Sequence, residues 1–229
     1  MKKFLLIDIE TANFVECPFA YDVGFIIADK KQIYEKHSYL VYDIFVKEKD
    51  LMYSAYYAEK IPLYEQMIKD GTIQMKTLYT IQKIIKEKMK EYEITDVFAY
   101  NAYFDSGGMN NTIRWDTKSA FRWFFPYGTK FHCIQHMACQ VLFTQKTYFK
   151  IADREGWKTE KGNYKTTAEH AFKYINLLFD FEERHTGLED CLIEYEILKR
   201  CYRQKKKMKT GINRACWRIP QKVKKEMDS

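Results

Sequence analysis

The chain has 229 residues, enough for one substantial hydrophobic core or two small ones, and its 46% hydrophobic and 17% aromatic content excludes a disordered protein. The formal charge of +7 is lopsided: residues 199–229 hold twelve Lys or Arg and two acids, whereas the 198 residues before them hold 26 against 29. A slightly acidic body with a strongly basic end predicts a polyanionic partner for that end.

Residues 4–7 read FLLI, an apolar run without polar alternation that predicts a strand covered on both faces, and it leads directly into Asp8 and Glu10. In a strand these two positions share a face, so their carboxylates repel unless one keeps a proton or a cation lies between them. They are candidate metal ligands at the carboxyl end of a strand, where open α/β sheets place their chemistry. The same acids interrupt the signal-like opening MKKFLLI, and no later segment approaches membrane-spanning length. A cytoplasmic protein with no membrane partner is expected. AYDVGFIIAD and QIYEKHSYLVYDIFV predict two further strands, joined by the charged ADKKQ into an antiparallel meander. Leu51 to Lys90 is mostly helical in pattern, with Leu78, Ile81, Ile84, Ile85 and Met89 on one face and lysines on the other. Val97 to Tyr100 predicts a short buried strand whose carboxyl end projects Asp105. A helix from Phe104 follows until FRWFFPYG breaks it.

Lys130 to Cys133 predicts a fifth strand, and Ile134 to Phe143 a helix with Met137, Val141 and Leu142 inward. His132, Cys133, His136 and Cys139 crowd this junction, yet no C-x-x-C and no second ligand pair at finger spacing follows, so a strand end entering a helix is the better reading than zinc. The six cysteines show no paired spacing and are expected to be reduced thiols. Residues 147–166, with Gly156, Gly162 and Asn163, predict a loop or hairpin insertion, and Thr167 to Leu178 and Leu188 to Tyr202 the remaining helices. In ERHTGLED, Thr186 and Glu189 have capping-box spacing, which makes Thr186 the N-cap, puts Asp190 in the first turn and leaves His185 on the loop outside. No Pro/Gly-rich linker divides the chain. One domain over residues 3–204 with a basic extension over 205–229 is expected.

Taken in order, DIETAN after the first strand, NAYFD in the middle and HTGLED before a late helix resemble the three motifs of the DEDDh 3′ to 5′ exonucleases, a family with proofreading exonucleases and ribonuclease T among its members. The resemblance spans roughly residues 4–202 and implies an α/β ribonuclease H-like fold, a central mixed five-stranded sheet flanked by helices. It implies that Asp8, Glu10, Asp105 and Asp190 bind two Mg²⁺ or Mn²⁺ ions and that His185 is the general base. Two ions about 4 Å apart activate water and stabilise the leaving 3′ oxygen, and oxygen ligands favour these metals over zinc. Thr11, Ala12, Phe14, Asn101 and Tyr103 are the implied substrate contacts, Phe14 and Tyr103 by stacking on terminal bases, with core packing as the alternative for each of the two rings. The sequence departs from the family at Ile9 and Asn13, where threonine and glycine are usual, and at Thr186 and Gly187. Asn tolerates a left-handed backbone, so the turn at 13 is expected to survive. The expected activity is removal of nucleotides from single-stranded DNA or RNA 3′ ends with release of 5′ nucleoside monophosphates, and a polymerase or other replication or repair factor is a candidate partner. The alternative is a catalytically silent nuclease-like module that binds nucleic acid or protein.

Overall fold

The computed structural model describes residues 2–56 and 58–229. In chain order the elements are β1 (Phe4–Ala12), β2 (Phe19–Ala28), β3 (Ile33–Val41), the short helices α1 (Tyr42–Phe45) and α2 (Lys49–Tyr53), a 3-10 turn at Ala58–Lys60, α3 (Ile61–Lys69), β4 (Gln74–Lys76), α4 (Leu78–Glu91), β5 (Asp96–Ala99), α5 (Ala102–Thr117), β6 (Lys130–Cys133), α6 (Ile134–Val141), α7 (Lys146–Arg154), α8 (Ala168–Asn176), α9 (Gly187–Arg203) and α10 (Arg218–Asp228). The strands form one mixed sheet in the order β4-β3-β2-β1-β5-β6, with helices flanking it. The expected meander is present, β1 antiparallel to β2 and β2 to β3. The sheet has six strands where five were expected. The addition is β4, three residues parallel to β3 inside a stretch whose pattern read as mostly helical.

The chain divides into two compact units. The first comprises residues 1–97, 104–130 and 185–191. Its core is β1 and β2, where Phe4 to Ile7 and Val23 to Ala28 are buried, as continuous apolar runs demand. Helix α4 lays Leu78, Ile81, Ile85 and Met89 inward at helical spacing, and the Thr77 hydroxyl caps it by accepting from the Thr80 N–H. Helix α5 packs close on β1: a Cβ at Gly108 would lie 2.5 Å from Ile9 Cδ1, so glycine is what admits Ile9 there. Thr112 of the same helix accepts from the Ala20 N–H of β2 at 2.8 Å.

The second unit comprises residues 98–103, 131–184 and 192–229. In α6, Met137 and Val141 are buried as expected. Within 147–166 the expected loop or hairpin is partly a helix. KTYFKIADR buries Tyr148, Phe149 and Ala152 along one face of α7 and exposes charge on the other, and this periodicity outweighs the glycines, which come only after the helix ends. A hairpin-like bridge, Lys158 with Tyr164, follows. The basic extension is docked within this unit. The Cys133 N–H donates to Thr210 O, Gln140 holds the backbone of Lys209 from both sides, and Gln221 exchanges two hydrogen bonds with the Tyr164 backbone. Cys216 and Pro220 are buried there. The histidines and cysteines weighed for zinc have other partners: His132 bonds Thr210, the Cys133 thiol donates to Tyr100 O, and His136 Nδ1 donates to Gly211 O.

Candidate active site

The first strand delivers Asp8 and Glu10 on one face, and a register shift separates Glu10 from Thr11. Such bulges re-aim side chains where a strand ends at a site. Asn13 follows with φ 72°, the left-handed conformation expected of it, and its side chain donates to Cys17 O at 2.8 Å to close the turn. Thr11 is half-buried and Ala12 buried, whereas Phe14 stands 76% exposed at the tip of that turn. Phe14 is therefore not a core residue.

Asp105 lies in the first turn of α5, buried, with its carboxylate accepting from the Ile9 backbone N–H. Helix α9 begins at Gly187, one residue after the expected cap, and places Asp190 in its first turn. The Thr186 hydroxyl donates to Glu189 Oε2 at 3.1 Å, and the Asp190 N–H donates to Thr186 O. His185 sits just outside the helix in the left-handed conformation, φ 54°, with Nδ1 3.9 Å from Asp190 Oδ2.

These elements converge. One ligand atom each from Glu10, His185 and Asp190 lies within 4.8 Å of the others, and among the described residues this is the one group of three or more such side chains with metal-binding geometry. Burial drives the Glu10 carboxyl up to about 9, with Asp190, Asp22 and Asp105 adding to the rise and Lys60 opposing it. Burial likewise lifts Asp105 to about 8. Carboxylates packed this densely in low dielectric are costly without a positive charge among them, and a divalent cation with oxygen ligands suits the donor set. Asp8 is on the same strand face two residues before Glu10, half-buried. Asn101 and Tyr103 belong to the second unit, where both are exposed and the Arg214 guanidinium lies 4.3 Å from the Tyr103 ring centre.

Sequence reasoning missed Asp22. It stands opposite Glu10 in the β1/β2 register, is fully buried, and its Oδ2 accepts from the Tyr64 hydroxyl and from the Gly187 N–H, both at 2.9 Å. Burial raises its carboxyl to about 6. The signal was present, a lone acid inside the apolar run AYDVGFIIA, since a buried acid needs partners. Beside it β2 and the start of α9 touch backbone to backbone. A Cβ on Gly24 would fall 2.0 Å from the Gly187 carbonyl carbon, and one on Gly187 would fall 2.5 Å from Gly24 N. Two glycines thus let the segment bearing His185 and Asp190 come down on β2, the strand paired with the one that carries Asp8 and Glu10.

No known family profile matches the chain, and no curated protein matches it. Solved structures do. E. coli exonuclease I in complex with a dT13 oligonucleotide is 12% identical with a TM-score of 0.56, over 90% of this chain and 42% of that one, so the chain spans about two fifths of that enzyme. The nuclease domain of 3′hExo, a DEDDh family member bound to rAMP, is 14% identical with a TM-score of 0.52, over 92% of this chain and 96% of that one. The α/β fold is therefore the ribonuclease H-like fold of these nuclease domains.

Proposed function

We propose that the chain is a DEDDh-type, divalent-metal-dependent 3′ to 5′ exonuclease acting on single-stranded nucleic acid, its nuclease domain spanning residues 3–204 with 205–229 as a basic extension. The observation that carries this reading is the convergence of Glu10, His185 and Asp190 within 4.8 Å on a fold shared with such nucleases. Asp8, Glu10, Asp105 and Asp190 would hold two Mg²⁺ or Mn²⁺ ions, which supply Lewis acidity toward the attacking water and the leaving 3′ oxygen. Around them the chain's own groups divide the work. Buried Glu10, Asp105 and Asp190 are held by β1, α5 and α9, so their placement precedes substrate binding. His185 is one-third exposed by its side chain, close enough to solvent to take a proton from water at a ring nitrogen and pass it on. Phe14, standing in solvent at the end of β1, is available to stack on a terminal base, and Thr11 and Ala12 offer backbone beside it.

The test uses oligonucleotides labelled at the 3′ or the 5′ end, with Mg²⁺, Mn²⁺ or EDTA. Release of 5′ mononucleotides from the 3′ end, lost in EDTA and in Asp8→Asn, with His185→Ala slowed roughly a hundredfold, is the expected result. An Asp8→Asn protein that turns over normally, or a folded wild type that releases nothing from DNA or RNA, would overturn it in favour of the silent binding module.

A further inference from the structure

The segment after α5 leaves large aromatic rings in water: Phe121 is 90% and Trp123 64% exposed, and Tyr79 on the outer face of α4 is 68% exposed. Large rings exposed as a group are the informative exception on a protein surface. The segment itself is anchored. Phe124 and Phe125 are buried beneath it, the Phe124 N–H donates to Asn110 Oδ1, and Gln82 of α4 donates to the carbonyls of Trp123 and Phe124 at 3.2 and 2.7 Å. The Arg114 guanidinium lies 4.5 Å from the Trp123 ring centre, and its Nε donates to Arg122 O. The rings are thus presented on a fixed frame.

The charge around them is one-sided. Residues 79–91 and 114–130 together hold eight Lys or Arg and three acids. Lys88 is committed to Glu35 and Glu91, and Lys83 faces Glu87. Lys86, Lys90 and Arg122 enter no ion pair among the described residues, and all three are exposed. Partial burial and then the proximity of Arg122 lower the Lys86 pKa, so two cations stand together without a neutralising partner. An anion between them would relieve that repulsion.

We propose that Tyr79, Lys86, Lys90, Phe121, Arg122 and Trp123 form a binding surface for single-stranded nucleic acid, with bases stacked on the rings and phosphates among the cations. The alternation of unpaired cations with exposed flat rings selects unstacked bases over a duplex, whose bases offer no face. The surface is distinct from the candidate active site, because Asp105 opens α5 whereas this segment follows its other end. At 1.5 Å per residue, Asp105 and Thr117 are about 18 Å apart along the axis. The reading deepens the proposed function, on which its purpose rests: a second hold on the strand keeps a substrate attached while its 3′ end is shortened.

The test is binding of the full-length protein to a circular single-stranded DNA, which has no end to enter an exonuclease site, measured across a salt series. Trp123→Ala and Phe121→Ala should each weaken binding roughly tenfold, the value of one base stacked on one ring. Lys86→Gln with Arg122→Gln should flatten the log–log salt slope by about 1.4, at about 0.7 per phosphate. Phe121 is so exposed that its truncation leaves the fold alone, which separates weakened binding from damaged structure. Unchanged affinity and slope in all these variants would overturn the surface, and a ring reserved for an acidic protein would give that result. Ring-dependent binding to the circle with no cutting of linear strands would overturn the nuclease reading while leaving the surface standing.

Discussion

Glu10 shows how burial and neighbouring charge decide what one side chain does. Its carboxyl is pushed to about 9 by burial first and then by Asp190, Asp22 and Asp105, so at neutral pH and without metal the proton stays on. Glu10→Gln replaces a buried acid with a neutral shape of the same size. We expect its melting temperature without metal to equal or exceed that of the wild type, and the stabilisation by Mg²⁺ that the proposed site predicts for the wild type to be absent from the variant, as thermal melts with and without Mg²⁺ will show. Asp22 makes the contrasting case, because its hydrogen bonds from Tyr64 and Gly187 land on the same oxygen, Oδ2. Asp22→Asn keeps an acceptor there and removes the charge, so near-native stability is expected. Asp22→Ala strands the Tyr64 hydroxyl and the Gly187 N–H and should cost about 1–3 kcal/mol for each, read from urea denaturation. Equal stability of the two variants would show that these bonds do not hold the start of α9.

At the scale of elements, what orders the site is the way helices begin. Helices α4 and α8 open on threonine hydroxyls, Thr77 and Thr167, that accept from their own first turns, whereas α9 has its Gly187 N–H satisfied by Asp22 from the neighbouring strand. That arrangement ties His185 and Asp190 to the sheet rather than to local sequence. Helix α8 carries a titratable group that its burial controls: His170, hydrogen-bonded to Thr167, has its pKa lowered to about 4 by burial. The unfolded chain binds a proton at His170 near 6.5 and the folded one only near 4, so the unfolded form takes up more protons in between. Stability should therefore fall as pH drops from about 6.5 toward 4. His170→Gln should flatten that part of a melting-temperature profile, and an unaltered profile would exclude His170 as its source.

At the scale of the whole molecule the basic end is both densely charged and docked. Truncation after Gln204 removes nine Lys or Arg and two acids. It also removes buried Cys216 and Pro220 and the bonds that Thr210, Gly211 and Gln221 make within the second unit. A lowered melting temperature is expected. If the lysines touch phosphates as well, the salt dependence of single-strand binding will flatten by about 0.7 for each phosphate that the shortened protein no longer neutralises. A lowered melting temperature with an unchanged slope would assign the extension to structure alone. Among the described residues no helix is long and apolar enough to cross a membrane.

Residues four to ten already announced a buried strand ending in two acids, and the three motifs announced the order in which further acids and the histidine arrive. Apolar patterning set the meander, α4 and α6, because an element's own pattern must match the core it buries, and capping-box spacing set the start of α9. Local chemistry also foretold the left-handed turn at Asn13. What it did not contain was anything that depends on a partner distant in the chain. The strand β4 is three residues long and exists only because β3 offers it an edge. Asp22 becomes part of the acidic cluster only through its register with Glu10, and Gly24 and Gly187 matter only because two backbones meet there. Burial and the meeting of like charges raise the pKa values of the site, and both arise from packing between residues far apart in the chain, Glu10 against Asp190 above all, rather than from any stretch that could be read alone.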